Sequence, residues 1–387
     1  MTMNYTDRIS GVEPSATLAI SSLAKELRTE GADVIDLSVG QPDFPTPQPI
    51  VDAGIDAMHD GHTGYTPSAG IPALREAIAE KLRGDGLSYD PEQIIVTPGA
   101  KQALYEVFQT LVDTGDEVVL LDPAWVSYEA MATLAGGTIN RVDLTPHDFR
   151  LEPALDELAA AISEETALLV LNTPSNPTGV VYSEQALAGI SELAIDHDFT
   201  VISDEIYNQI LYGEKPRSLG TFPGMDSRTI TINGFSKSFS MTGWRLGYLA
   251  GPQSFIDQAG KLQSHSVSCA TNFVQHAGIT ALTSVEESVE EMVSAFENRR
   301  DHLLSRLRDA DVPVPTIPGG AFYLMVPVQG DDVATCKSVL EDQQVATVPG
   351  SAFGAPGYAR LSYANNIDRV DEAVDRLLST EYFVTAD

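Results

Sequence analysis

A chain of 387 residues with 43% hydrophobic content is long enough to bury a large core and to divide it between two lobes, which excludes a disordered or fibrous protein. Its 23 basic residues face 55 acidic ones, a formal net charge of −32, and a surface of that sign repels phosphate backbones and anionic lipid; nucleic acid and membrane are excluded as partners. Two cysteines, Cys269 and Cys336, form neither a disulfide framework nor a metal set, and His59 and His62 lack a third ligand, so we expect no metal and a reducing, cytoplasmic compartment.

The first 31 residues lack a secretory signature, and no apolar run approaches membrane-spanning length. Ser15 to Arg28 places Leu18, Ile20, Leu23, Ala24 and Leu27 on one helical stripe, which Gly31 ends. Val34 to Val39 reads as a strand running into Gly40-Gln41-Pro42-Asp43-Phe44, where the glycine lets a ligand approach the backbone. Gly64-Tyr65-Thr66 joins a helical segment to the next helix, Ile71 to Arg83. Gln93 to Thr97 is an apolar strand that enters Pro98-Gly99-Ala100-Lys101 and then a helix over Gln102 to Val112; strand, glycine turn and helix start together make a cradle for a phosphate.

The strand Glu117 to Leu121 leads to Trp125, whose face can stack on a flat heterocycle. The continuous apolar run Ala167 to Leu171, as expected of a buried parallel strand, leads into a turn carrying Asn172 and Asn176. Phe199 to Ser203 ends in Asp204-Glu205-Ile206-Tyr207, which puts a carboxylate at a strand's carboxyl end, where open α/β sheets bind ligands. Side-chain alternation sends Glu205 away from Asp204.

After the β-rich run Thr229 to Asn233 comes the stretch Ser236 to Pro252, with Lys237 among small hydroxyl residues and Arg245 eight positions on. Lysine is scarce, seven in the whole chain, and an amine that couples to an aldehyde needs desolvation or neighbouring positive charge to be neutral part of the time. Lys237 for the aldehyde, with the Ser236 hydroxyl and the Arg245 fork for the phosphate, describes a site for pyridoxal 5′-phosphate. Ser264 to Asn272 reads as a polar strip, Phe273 to Ala281 as a helix and Ser284 to Arg308 as one long amphipathic helix, with acidic residues first and Arg299, Arg300, Arg306 and Arg308 late. Gly320 to Met325 reads as a strand, and in the strand-like Tyr358 to Tyr363 the guanidinium of Arg360 needs an anion.

The lysine stretch, with the ordered series of turns before it and Arg360 after it, resembles class I aminotransferases of PLP fold type I from about Ile35 to Tyr363. The resemblance implies that Lys237 holds the cofactor covalently, Asp204 partners its ring nitrogen, and Tyr207 and Asn176, with Asn172 in support, meet its phenolic oxygen. Trp125 stacks on the ring, while Gly99, Ala100, Lys101, Ser236 and Arg245 form the phosphate side. Tyr65 reaches the phosphate of the other subunit, so the resemblance implies a homodimer with shared active sites. Gly40 and Arg360 take the substrate α-carboxylate. The implied reaction is a ping-pong transfer of an amino group from an amino acid to a 2-oxo acid, commonly 2-oxoglutarate.

The fold expected is α/β: a large domain with a mostly parallel seven-stranded sheet flanked by helices, over residues 46–283, and a smaller α+β lobe. Residues 284–387 form that lobe with its connecting helix, and the N-terminal segment 1–45 joins it. The Gly-Ala-Lys101-Gln102 turn and Pro14-Ser15-Ala16-Thr17 resemble the aspartate branch, where Lys101 meets a distal carboxylate; Glu13 stands where relatives can carry a basic residue, which argues against prephenate. An aromatic or alanine-type aminotransferase and a PLP-dependent β-lyase are the alternatives, whereas a DNA-binding regulator lacks its basic extension. Scarce lysine with abundant acid points to a halophilic source, where salt screens self-repulsion.

Overall fold

The computed structural model describes residues 3–12 and 16–385. Glu13, Pro14 and Ser15, and the side chains of Ala16, Thr17 and Leu18, lie outside the described residues. Twelve strands occur among the described residues. In chain order they begin with β1 (Ile35–Asp36), β2 (Ile94–Thr97), β3 (Glu117–Asp122) and β4 (Thr138–Asp143). β5 (Thr166–Asn172), β6 (Thr200–Asp204), β7 (Thr229–Gly234) and β8 (Gly247–Ala250) follow. The last are β9 (Tyr323–Pro327), β10 (Val345–Ala346), β11 (Val348–Pro349) and β12 (Tyr358–Ser362).

Seven of them form one sheet in the order β2-β8-β7-β6-β5-β3-β4, parallel except at β8, which runs antiparallel to both neighbours. The α/β architecture expected from sequence is therefore present. Its central strands are apolar throughout because both faces are covered. Val119, Leu121, Leu169, Leu171 and Val201 pack on one side with Ala186, Leu187 and Ile190 of the helix Glu184–Asp196. The alternate residues Val118, Leu120, Leu168, Val170 and Ile202 pack on the other with Leu104, Val107 and Phe108 of the helix Ala100–Leu111.

A second core lies around the antiparallel sheet β11-β12-β9 and the helix Ile367–Leu378, which presents Val370, Ala373, Val374 and Leu377 inward. The long helix Glu286–Asp309 contributes Phe296, Leu303 and Leu307 to it. β1 pairs in parallel with β10, so the N-terminal segment is stitched to the C-terminal part. Asp43 accepts from both terminal nitrogens of Arg299 at 2.7 and 3.0 Å, and Phe44 meets Phe296 edge-on at 5.5 Å; together they seat the Gly40 loop on the long helix.

Three readings change. The strand expected over Val34 to Val39 pairs only at Ile35–Asp36, because beyond it the backbone turns to bond Ser362 through the Leu37 carbonyl. The polar strip begins as the end of the helix Gln253–Ser266, which buries Phe255, Ile256, Ala259 and Gln263 and turns its polar residues outward. Lys101, expected in the turn before a helix, lies in the helix's first turn, since that helix starts at Ala100.

Phe296 is fully buried between the Gly40 loop and the second core. Phe296→Ala should cost about 3–5 kcal/mol, the usual cost of emptying a large buried site; urea unfolding in high salt would measure it.

Candidate active site

The carboxyl ends of the sheet strands open on a cavity of about 450 Å³. Lys237, three residues past β7, is enclosed there, and its Nζ donates to the Gly40 carbonyl. No carboxylate pairs with it among the described residues. Burial, then the charges of Arg360, Arg245 and Lys101, lower its pKa to about 8. The amine is thus neutral far more often than an exposed lysine.

Asp204 ends β6 and is 3% exposed. One carboxylate oxygen accepts from the Tyr128 hydroxyl at 2.6 Å and the other from the Ile206 amide at 3.2 Å. Burial pushes the group up to about 6 against the pull of the Tyr128 bond. Glu205 points elsewhere, as alternation requires, and accepts from Ser203 at 2.9 Å and from Ser218. Tyr207 is buried, and its hydroxyl lies 2.9 Å from that of Tyr323. Asn172 donates to the Asp204 carbonyl at 3.0 Å and accepts from the Asn176 amide at 2.8 Å, so the two asparagines form one rigid corner.

On the opposite wall, Gly99 caps the helix Ala100–Leu111 with φ +85°, and a Cβ there would lie 2.4 Å from Nη2 of Arg245. The first helical bond runs from the Gln102 amide to the Gly99 carbonyl, so the Ala100 and Lys101 amides precede the hydrogen-bonded turn. A Cβ on Gly247 of β8 would come within 2.3 Å of the Ala100 amide nitrogen, which shows how closely the strand backs this turn. Arg245 donates to the Thr242 carbonyl at 2.8 Å and has no acidic partner among the described residues. Lys101 likewise has none, and its Nζ sits 4.6 Å over the Trp125 ring.

Arg360, on β12, is 2% exposed and also lacks a carboxylate partner among the described residues. Nη1 donates to the Asn176 side-chain oxygen at 2.9 Å, Nη2 to the Ser38 carbonyl at 2.6 Å, and Nε has no partner. Gly40 faces the cavity because a Cβ there would meet the Tyr323 hydroxyl at 2.9 Å.

The cavity gathers the sequence-predicted residues except two. Gly99 stands just behind it against Arg245, and Tyr65 is 91% exposed on the outside of this chain. Three further residues enter that sequence reasoning missed. Tyr128 lies three residues after Trp125, a spacing that brings the two rings together edge-on at 5.4 Å and is a usable signal. Ser38 and Tyr323 act through a carbonyl and a second tyrosine, which residue type does not announce.

These donors fit pyridoxal 5′-phosphate. A crowded glycine cradle at a helix start beside Ser236 and a free arginine fork suits a phosphate, a poised amine suits an aldehyde, and a buried acid suits a ring nitrogen. Fold and site together define an enzyme of PLP fold type I. The family model described as aminotransferase class I and II matches residues 32–377. The aspartate aminotransferase of Geobacillus stearothermophilus is 44% identical over 97% of this chain and 98% of its own length. The aspartate/prephenate aminotransferase of Thermus thermophilus is 42% identical over 95% and 96%. A solved aspartate aminotransferase from Thermus thermophilus with maleate superposes with a TM-score of 0.94 at 40% identity, over 98% of this chain and all of that one. The chain belongs to the class I and II aminotransferase family and is a PLP-dependent transaminase acting on amino acids and 2-oxo acids.

The buried amine carries a pH signature. Between about pH 8 and 10.5 the folded, cofactor-free protein holds fewer protons on Lys237 than the unfolded chain does, so this group makes stability rise with pH across that window. Below it, the buried cation opposes folding in full. Lys237→Met should therefore raise Tm at pH 7 and remove that part of the rise, as read by paired melting curves; an unchanged difference between the two proteins at pH 7 and pH 10 would refute it.

Proposed function

We propose that this transaminase takes L-aspartate as amino donor and 2-oxoglutarate as acceptor, in two half-reactions that share one site. The observation that carries the reading is that Arg360 and Lys101 open on the same cavity, neither paired with a carboxylate among the described residues. Two unpaired cations suit a substrate with two carboxylates, and the names of the similar proteins agree with it. Arg360 grips the α-carboxylate as a planar fork beside Asn176 and the Gly40 backbone. Lys101 meets the distal carboxylate from the cavity rim.

Bound pyridoxal 5′-phosphate supplies an aldehyde for exchange with the substrate amine and a ring that withdraws electrons from Cα. Asp204, with one oxygen held by Tyr128, would face the ring nitrogen and favour its protonated form. Nζ of Lys237, neutral part of the time and placed beside the Gly40 carbonyl, would serve as the base that takes the proton from substrate Cα. Tyr207 and Asn176 hold the phenolic oxygen, with Asn172 fixing Asn176, and the Trp125 face limits ring tilt. Ser236, Arg245 and the Gly99-Ala100-Lys101 turn would hold the phosphate.

The same reading makes the active unit a homodimer with Tyr65 completing the partner's phosphate site; its 91% exposure in one chain supports this. It divides the chain into a large domain, 46–283, and a smaller lobe of 284–387 joined by 1–45, supported by the β1–β10 pairing. It places the protein in the cytoplasm of a salt-adapted organism, supported by the net charge of −32, seven lysines and the absence, among the described residues, of any helix long and apolar enough to cross a membrane.

Lys101→Ala should lower kcat/KM for aspartate and glutamate by about tenfold, the effect of losing a charge partner that is only partly desolvated, and leave alanine and phenylalanine nearly unchanged. Equal losses for all donors would remove the aspartate reading and favour an aromatic or alanine-type enzyme. Shared sites are tested by mixing two inactive variants, Lys237→Ala and Tyr65→Ala. A mixed dimer contains one site with native Lys237 and native Tyr65, so activity should return on subunit exchange; no recovery despite exchange would place each site within one chain.

A further inference from the structure

The fork of Arg360 is aimed by a part of the chain that takes no share in the chemistry. Asp36, at the end of β1, is buried, and its Oδ1 accepts twice from Ser38: from the amide at 3.0 Å and from the hydroxyl at 2.6 Å. This pair of hydrogen bonds to one oxygen fixes a tight turn, and the carbonyl that leaves the turn at Ser38 accepts from Nη2 of Arg360 at 2.6 Å. With Nη1 held on Asn176, the guanidinium plane is set and its Nε is the unpartnered donor. The other oxygen of Asp36 is engaged elsewhere, with Oδ2 facing Nη1 of Arg28 at 3.3 Å, on the helix Ala16–Thr29. Ser21 of that helix lies on the cavity with its hydroxyl 3.4 Å from that of Ser38.

We propose that Asp36 is a positioning residue for substrate binding, which acts through the Ser38 turn to hold the Arg360 fork in the plane a carboxylate needs. The inference rests on the reading of Arg360 as the carboxylate clamp. A carboxylate gains from a fork only when both N–H bonds are aligned at once, so loosening the turn weakens the bound state before it touches the proton transfer at Lys237. The two oxygens of Asp36 separate this role from a merely structural one. An asparagine keeps a carbonyl oxygen for the Ser38 amide and hydroxyl and loses the charge, which faces Arg28 and acts at longer range on Arg360.

The test uses the holoenzyme, with maleate as an unreactive dicarboxylate probe followed by calorimetry and aspartate as substrate. Asp36→Ala should raise the Kd for maleate and the KM for aspartate by about tenfold, the scale of a lost bond to a charged group, while kcat stays within about twofold. Asp36→Asn should recover most of that loss, and Arg28→Gln should leave both constants as in the parent. The proposal is overturned if Asp36→Ala lowers kcat with KM unchanged, if Asp36→Asn is as impaired as Asp36→Ala, or if Arg28→Gln reproduces the effect. Where Asp36→Ala does not fold, Ser38→Ala removes one strut of the turn and keeps the carbonyl; a rise of about threefold in the maleate Kd supports the proposal and an unchanged Kd overturns it. Arg360→Lys separates the two readings. If it leaves maleate binding intact, the clamp itself is wrong; if it weakens binding while Asp36→Ala does not, only the role of Asp36 falls.

Discussion

Positive charge collected in one cavity and left without carboxylate partners is the constraint to which the rest of the molecule answers. A chain with 55 acidic residues could neutralise every cation it has, yet Lys237, Arg245, Arg360 and Lys101 have no acidic partner among the described residues. Holding Lys237 and Arg360 so is unfavourable, because burial acts against both charged forms and the neighbouring cations add to it at Lys237. Both amines yield: Lys237 is lowered by burial and by the three other cations, and Lys101 by burial and by Arg245. A phosphate and two carboxylates are the anions that would relieve the strain, so ligand binding and site stability are one problem here. Salt does not solve it: at about 1 M the screening length is roughly 3 Å in water, which quiets the acidic surface but reaches the enclosed Lys237 and Arg360 far less.

The sheet order explains why these groups meet. β5, β6 and β7 are parallel neighbours, so Asn172 and Asp204 leave adjacent strand ends in register and Lys237 follows from the next. The antiparallel β8 brings the chain back past the same edge of the cavity, and its Gly247 presses against the helix start that follows β2. Arg245, just before β8, is thereby set on Gly99. Three covalently distant turns become one wall because glycine lets two backbones touch. The second core closes the other side, with Arg360 and Tyr323 carried on paired strands β12 and β9.

Most of the sheet is legible in the sequence for a physical reason: a strand buried on both faces is an unbroken apolar run, as at Leu168 to Leu171. β4 escapes notice because it is an edge strand, largely uncovered, and its Thr138–Asp143 sequence is polar. β8 is hidden within a stretch whose glycines and arginine advertise a site. The site residues themselves are legible where chemistry demands an uncommon residue at a strand end, as with Lys237 and Asp204. Tyr128, Ser38 and Tyr323 are not, since each works by supporting another residue; the Ser38 carbonyl is 322 positions from the arginine it holds. Tyr65, 91% exposed in the single chain, is linked to the site only by resemblance.

That separation has a consequence for how the protein comes to exist. On the ribosome, the strands of the large sheet, ending with Ala250, are all made before the segments that pair with β1 at Val345 and bond Ser38 from Arg360. Until they are made, the segment around Gly40 has Lys237, Ser240 and Thr242 to meet but neither β10 nor Arg360, and closing the longer loop carries an entropic cost that the second core offsets. A nascent chain can thus carry the strands of the sheet and Lys237 and still lack Arg360 in the cavity. Synthesis of β12, rather than formation of the large sheet, is what brings Arg360 to the cavity.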